Sequence, residues 1–234
     1  MPSLRGFALH RGTISRARRL FPQATKLMDT PPRSGLKKLL LLVGGIAALL
    51  FGAYAMWDGV RQMRGTALPS HDEAKAIATS AIAELAEHSD TKFGFAMAVP
   101  RSWTVESGGT GAHFLKFKTL AGIVNVSVGA EAVGAGETLD SHVQLTLDAM
   151  SKAGSDELSR PKLLDRSNAT LGRQQAQLLR MSIAAPGVGT PVEALQWHAL
   201  HGGKDYVITI CVPSELSGDF AELFARLVGS VRFL

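Results

Sequence analysis

LQWHALHGGKDYVITICV, residues 195–212, decides the fold. Leu195 and Trp197 alternate toward His201-Gly202-Gly203-Lys204, and Tyr206, Ile208 and Ile210 alternate away from it. Two glycines between alternating apolar runs predict a tight hairpin, since glycine takes the positive φ values of such turns without steric penalty. The two runs are therefore expected to pair antiparallel.

Outward from this hairpin, strand and helix signals alternate. Phe93, Phe95, Met97 and Val99 mark a strand that stops at Pro100. Leu115 and Phe117 alternate with Lys116 and Lys118; after a turn at Gly122, Val124, Val126 and Val128 alternate with Asn125 and Ser127. Such alternation predicts half-buried antiparallel strands with one dry and one wet face. Leu179, Met181 and Ile183 mark a further strand. Thr138 opens a helix that turns Leu139, Val143, Leu147 and Met150 inward and closes at Gly154. A last helix carries Phe220, Leu223, Phe224, Leu227, Val228 and Val231. Near the start, Ser70-His71-Asp72-Glu73 has the form of a capping box. Ala74, Ile77, Ala78, Ala81, Ile82 and Leu85 follow at helical spacing, which predicts a one-sided helix of roughly five turns. It would dock on the domain or pair with a second copy. The class is α+β: an antiparallel sheet with flanking helices, one face covered and the other an open binding surface.

A second stretch, LKKLLLLVGGIAALLFGAYAMWDG at residues 36–59, places the domain. No charge interrupts Leu39 to Trp57, a run of 19 residues read from the sequence. A helix of that length covers about 28 Å, close to the ~30 Å hydrocarbon core of a bilayer. Tyr54 and Trp57 at one end and Lys37 and Lys38 at the other suit the two interfaces. Residues 1–38 hold nine Lys/Arg and one acid, a net of +8; the whole chain is +5, leaving −3 for residues 39–234. Positive-inside bias then puts the arm in the cytoplasm and the large domain in the bacterial periplasm. With no basic surplus on the domain, a nucleic-acid partner is excluded. Ala53-Tyr54-Ala55 has the form of a cleavage site, but the apolar run continues past it, which favours an uncleaved anchor. Translation starts at Met1 or at Met28. The expected organisation is a disordered basic arm (1–35), a transmembrane helix (36–58), a spacer with an amphipathic helix (59–90) and one α+β domain (91–234). Gly44, Ala48 and Gly52 line one face of the span with small residues that permit close helix packing.

FAMAVPRSWTV, VNVSVGAEAV, ETLDSHVQLTLDAM, LGRQQAQLLRM, DYVITICVP and FAELFARLVGSVRF occur in that order between Phe95 and Phe233. This succession resembles the PsbP-like and DcrB-like family: a strand ending in Pro-x-x-Trp, a strand pair, a helix, a glycine-led strand, a tyrosine-bearing strand and a helix ending in Ser-x-Arg-Phe. The resemblance implies an αβα sandwich used for binding or assembly, with no shared catalytic residues. Photosystem accessory proteins, envelope proteins and chaperones of secreted toxins are among its members. A membrane anchor departs from much of that family.

Motifs of chemistry are few. No nucleophile elbow, His-Glu-x-x-His or phosphate loop occurs, so no catalytic, cofactor-binding or metal-binding set is assigned, and no cofactor is expected. Gly108-Gly109-Thr110-Gly111 lacks the following helix that would hold a phosphate and reads as a hairpin loop. His198 and His201 are three apart, which on a strand turns them to opposite faces. With Trp197 they are assigned to a solvated binding surface at a strand edge. His142 stands near Glu137 and Asp140, a mixed ligand set in principle, although acids at a helix start also suit the macrodipole. Trp103 is expected to cap the core, and Cys211, alone of its kind, to be a buried inert thiol. The partners expected are the membrane (one span), an envelope protein and a second copy, met through the membrane helix or residues 71–88. The function expected is that of a non-enzymatic binding or assembly module; a metal-dependent enzyme and a chaperone for apolar segments of exported proteins are the alternatives.

Overall fold

The computed structural model describes residues 67–107, 113–118, 122–134, 136–152, 161–184 and 190–234. The expected arm, membrane span, helix-packing glycines and interface anchors lie outside these residues, as do Gly108 to Gly111. Among the described residues no helix is long and apolar enough to cross a membrane.

In chain order the elements are α1 (His71–Ala83), β1 (Leu85–Asp90), β2 (Phe95–Pro100), β3 (Thr104–Ser107), β4 (His113–Lys118), β5 (Asn125–Ala132), α2 (Leu139–Lys152), β6 (Lys162–Leu171), β7 (Gln174–Ile183), β8 (Val192–His201), β9 (Lys204–Pro213), α3 (Ala221–Gly229) and β10 (Arg232–Phe233). A seven-stranded sheet runs β3-β4-β5-β9-β8-β7-β6, and a three-stranded sheet runs β1-β2-β10. Every pairing is antiparallel. The β8–β9 hairpin closes through Gly202 and Gly203, both at positive φ, with His201 opposite Lys204.

Strand alternation divides the large sheet into two dry faces. Val126 and Val128 of β5, Leu195 and Trp197 of β8, and Tyr206, Ile208 and Ile210 of β9 point to one face. There they meet Phe95, Met97 and Val99 of β2, the alanines of α1 and the apolar stripe of α3. On the reverse face Leu179, Met181, Ala194 and Cys211 pack beneath Val143 and Met150 of α2. Each large side chain so buried contributes about 1.5–3 kcal/mol against its exposed state.

Three expectations need correction. The first helix is 13 residues long, not five turns, because residues 85–90 pair as an edge strand with β2, from Leu85 opposite Pro100 to Asp90 opposite Phe95. The backbone groups of a buried strand must be satisfied, and that requirement outweighs local helix propensity. The capping box is complete at its start: Ser70 accepts from the Glu73 N–H, and Glu73 accepts from the Ser70 N–H. Second, Asn125 and Ser127 do not face water. They share a sheet face with β9, β8 and β7, and α2 lies over β7 and β8 of that face. Third, the second face of the large sheet is not open, since α2 covers it over β7 and β8; β6, exposed along most of its length as an edge strand, showed no strand signal.

Candidate functional site

The two faces carry two different sites. On the first, α1, the turn after β2 and the chain entering β5 enclose an apolar cavity of about 270 Å³. Trp103, Ile123, Phe220 and Leu223 form its floor and walls, Ile77 its outer lip, and Ser80, Glu84 and Ser102 its polar rim. Small residues on α1 create it: Ala74, Ala78 and Ala81 bring the helix close to the core without filling the space beside it. Ile77 remains 39% exposed, an unusual position for a large apolar side chain in a sequence where the neighbouring alanines are buried. A shallower depression continues past Ile77 and Ile123 to Ala67, Leu68 and Pro69. Trp103 is part of the core, as expected, and lines the cavity too.

The second site is polar and lies under α2. Thr138 caps this helix through its Oγ1, which accepts from the Ser141 N–H at 3.1 Å. One turn in, His142 turns toward the sheet and is only 6% exposed. Its Nε2 lies 3.0 Å from Glu131 Oε1 of β5 and 3.1 Å from Asp205 Oδ2 of β9. Its Nδ1 lies 3.2 Å from Glu137 Oε2. Asp205 is wholly buried and accepts from His198 Nδ1 at 2.8 Å. A polar row extends along β8 and β9 from there: His198 Nε2 lies 3.0 Å from Gln196 Oε1, and Gln196 donates to Thr209 Oγ1 at 3.0 Å.

Charge is concentrated here. Burial alone would lower the His142 pKa, but the carboxylates of Asp205, Glu131 and Glu137 raise it to about 10. Burial pushes Glu131 up, against the opposing pull of the His142 imidazolium. Asp205 is likewise desolvated, yet His198 and His142 more than offset this and hold its carboxyl below the usual range. The Nε2–Glu131 contact is short without being directed as a hydrogen bond. Both Glu131 oxygens and Asp205 Oδ1 are therefore buried without a hydrogen-bond donor among the described residues. Glu131, His142 and Asp205 bring one ligand atom each within 4.8 Å of one another.

The residues singled out in the sequence fare unequally. Glu137 does reach His142, but Asp140 pairs with Arg166 of β6, which also binds Gln177 at 2.9 Å. His198 and His201 do face opposite sides, but β8 is an inner strand and His198 is buried. Trp197 is buried too, in the core of the first face. The three therefore form no common surface; His201 stacks on Phe233 with ring centroids 4.8 Å apart. Glu131 and Asp205 went unnoticed in the sequence. The available signal was an acid on each of two strands otherwise apolar, but nothing local showed that the two strands pair.

No protein-family model and no curated protein matches the chain. Among solved structures it is similar to the cyanobacterial PsbP protein CyanoP of Synechocystis sp. PCC 6803, with TM-score 0.51, 17% identity, and 65% of this chain and 94% of that one covered. The chain has the PsbP-like fold. Weaker likenesses are to LpqN of Mycobacterium tuberculosis, described as involved in cell envelope biogenesis (TM-score 0.42, 13% identity, 58% and 81% covered), and to the Saccharomyces cerevisiae Ran-binding protein Mog1p (TM-score 0.44, 12% identity, 64% and 95% covered).

Proposed function

We propose that this chain is a single-pass protein of the bacterial inner membrane whose PsbP-like domain acts in the periplasm as a non-enzymatic binding or assembly module. The observation that carries the reading is the apolar cavity beside α1, open at Ile77 and floored by Trp103, Phe220 and Leu223. Concave apolar surface rimmed by a few polar groups is what a docking partner requires. The charge-free run of 39–57 and the cationic arm before it support the placement. Tethering would confine the domain to a thin layer and raise its effective concentration toward envelope proteins.

The alternatives have less support. An enzyme at His142 would need substrate to reach groups covered by α2, where Asp205 is 0% exposed. A chaperone acting through a free sheet face would need that face open, whereas α2 covers it over β7 and β8.

The test uses the full chain in cells, with a photoreactive residue at Ile77 and, as control, at Leu164 of β6, which is more exposed still. Expected are crosslinks to a defined envelope protein from position 77 but not from 164, lost on adding Trp103→Ala. Equal crosslinking from both positions, or a C-terminal reporter active only in the cytosol, would defeat the reading.

A further inference from the structure

We propose that Glu131, His142 and Asp205 form a binding site for a first-row divalent transition-metal ion, with Glu137 and His198 orienting the ligands. The site lies on the opposite sheet face from the apolar cavity, so this inference stands apart from the binding reading.

Geometry comes first. Three ligand atoms from three elements converge: one from β5, one from β9 and one from α2. The Nε2 of His142 lies 3.0 and 3.1 Å from the two carboxylates. Ligands held at about 2.0–2.2 Å from an ion stand about 3–3.5 Å apart, so small shifts suffice. The partners behind the ligands also fit. A histidine that binds metal through one ring nitrogen usually donates its other N–H to a carboxylate, and Nδ1 of His142 has Glu137 at 3.2 Å. Asp205 is fixed from behind by His198 at 2.8 Å.

The second observation is the unsatisfied oxygen. Asp205 is wholly buried, and its Oδ1 has no hydrogen-bond donor among the described residues; neither carboxylate oxygen of Glu131 has one either. A buried carboxylate whose oxygens are incompletely paired is destabilising unless a further cation compensates it. Three carboxylates face His142, and only Asp205 has a second imidazole, that of His198, beside it. An ion of charge +2 redresses that balance. The donor set of two carboxylates and one imidazole suits ions from Mn²⁺ to Zn²⁺ better than Mg²⁺ or Ca²⁺, which prefer oxygen alone.

The test is calorimetric titration of the untagged full chain in detergent, stripped with chelator, with Mn²⁺, Zn²⁺ and Mg²⁺ in turn. Expected is one saturable equivalent of Zn²⁺ or Mn²⁺, bound at least tenfold tighter than Mg²⁺. His142→Gln and Asp205→Asn should abolish it, and Glu137→Gln should weaken it about 10–100-fold. Bound Mn²⁺ should show an altered electron paramagnetic resonance signal. If Asp205→Asn fails to fold, Glu131→Gln, at the more open edge of the site, takes its place. No stoichiometric binding by the parent chain, or binding that survives His142→Gln, overturns the proposal.

Discussion

Glu131 and Asp205 are direct partners across β5 and β9, so two carboxylates stand opposed on one buried face of the sheet. Like charges in that relation destabilise a strand pair, and His142, with its Nε2 3.0 and 3.1 Å from the two, supplies the offset. In chelator, His142→Ala should therefore destabilise the domain by about 3–5 kcal/mol, the usual result of leaving buried charge uncompensated. Adding Glu131→Gln should recover part of that loss, because one of the opposed charges is then gone. Urea unfolding of the four chains in the cycle measures the coupling, expected at about 0.5–3 kcal/mol. Strict additivity would mean that His142 does not offset the opposed pair.

Gly172 closes the β6–β7 hairpin at φ +59, and a β-carbon there would lie 1.9 Å from the Val231 carbonyl oxygen. Its N–H also donates to the Val228 carbonyl at 2.9 Å, so the turn is docked on the end of α3. Gly202 has a similar φ of +57 but open space around it. Gly202→Ala should lose only the left-handed penalty of about 1–2 kcal/mol. Gly172→Ala adds a backbone collision and should lose clearly more, with β10 displaced. Thermal unfolding of the two variants side by side checks this; equal losses would sink it.

Where local periodicity is complete, the sequence was enough to place the element. All six apolar residues expected of the last helix are buried, and the Gly202-Gly203 turn joins the strands it was expected to join. The order of motifs was sufficient for the fold. The errors occur where tertiary pairing overrides local pattern. Residues 85–90 have helical spacing behind them yet complete the β2 edge, and β6 is recruited as an edge strand whose first half is exposed and whose only core contacts are Ala169 and Leu171 at its end. The polar cluster was half legible. His142 and Glu137 are five apart on one helix start, whereas Glu131 and Asp205 meet only through the β5–β9 register. Asp140 misled because Arg166, distant in sequence, takes it away.

Cys211 gives a prediction with a definite sign. Burial pushes its thiol from 9.0 up to about 12, so the folded state disfavours the thiolate. A raised acid pKa leaves stability untouched below the unfolded value and erodes it above, as the unfolded chain releases a proton that the folded chain keeps. Between pH 9 and pH 10 the contribution should fall by about 1 kcal/mol. Urea unfolding should show a steeper alkaline loss for the parent chain than for Cys211→Ala. Below pH 9 the native thiol should also resist thiol reagents; rapid modification without unfolding would contradict its burial.

Strand β2 and the turn that leads into it are held by side chains from the far part of the chain. Ser230 Oγ accepts from the Ala98 N–H at 2.8 Å while donating to the Leu227 carbonyl at 2.7 Å. Tyr206 donates from its hydroxyl to the Phe93 carbonyl at 3.0 Å. These are the serine and tyrosine of the two C-terminal motifs; the first acts on β2 and the second on the turn just before it. Ser230→Ala leaves a part-buried N–H without its acceptor and should cost about 1–3 kcal/mol. Tyr206→Phe removes a donor from a carbonyl and should cost about 1 kcal/mol, in line with an ordinary hydrogen bond. Because one bond pins β2 and the other its entry turn, amide exchange at Phe95 to Val99 should accelerate in each variant and most in the double. Unchanged protection of that strand in the double variant would show that its packing alone holds it in place.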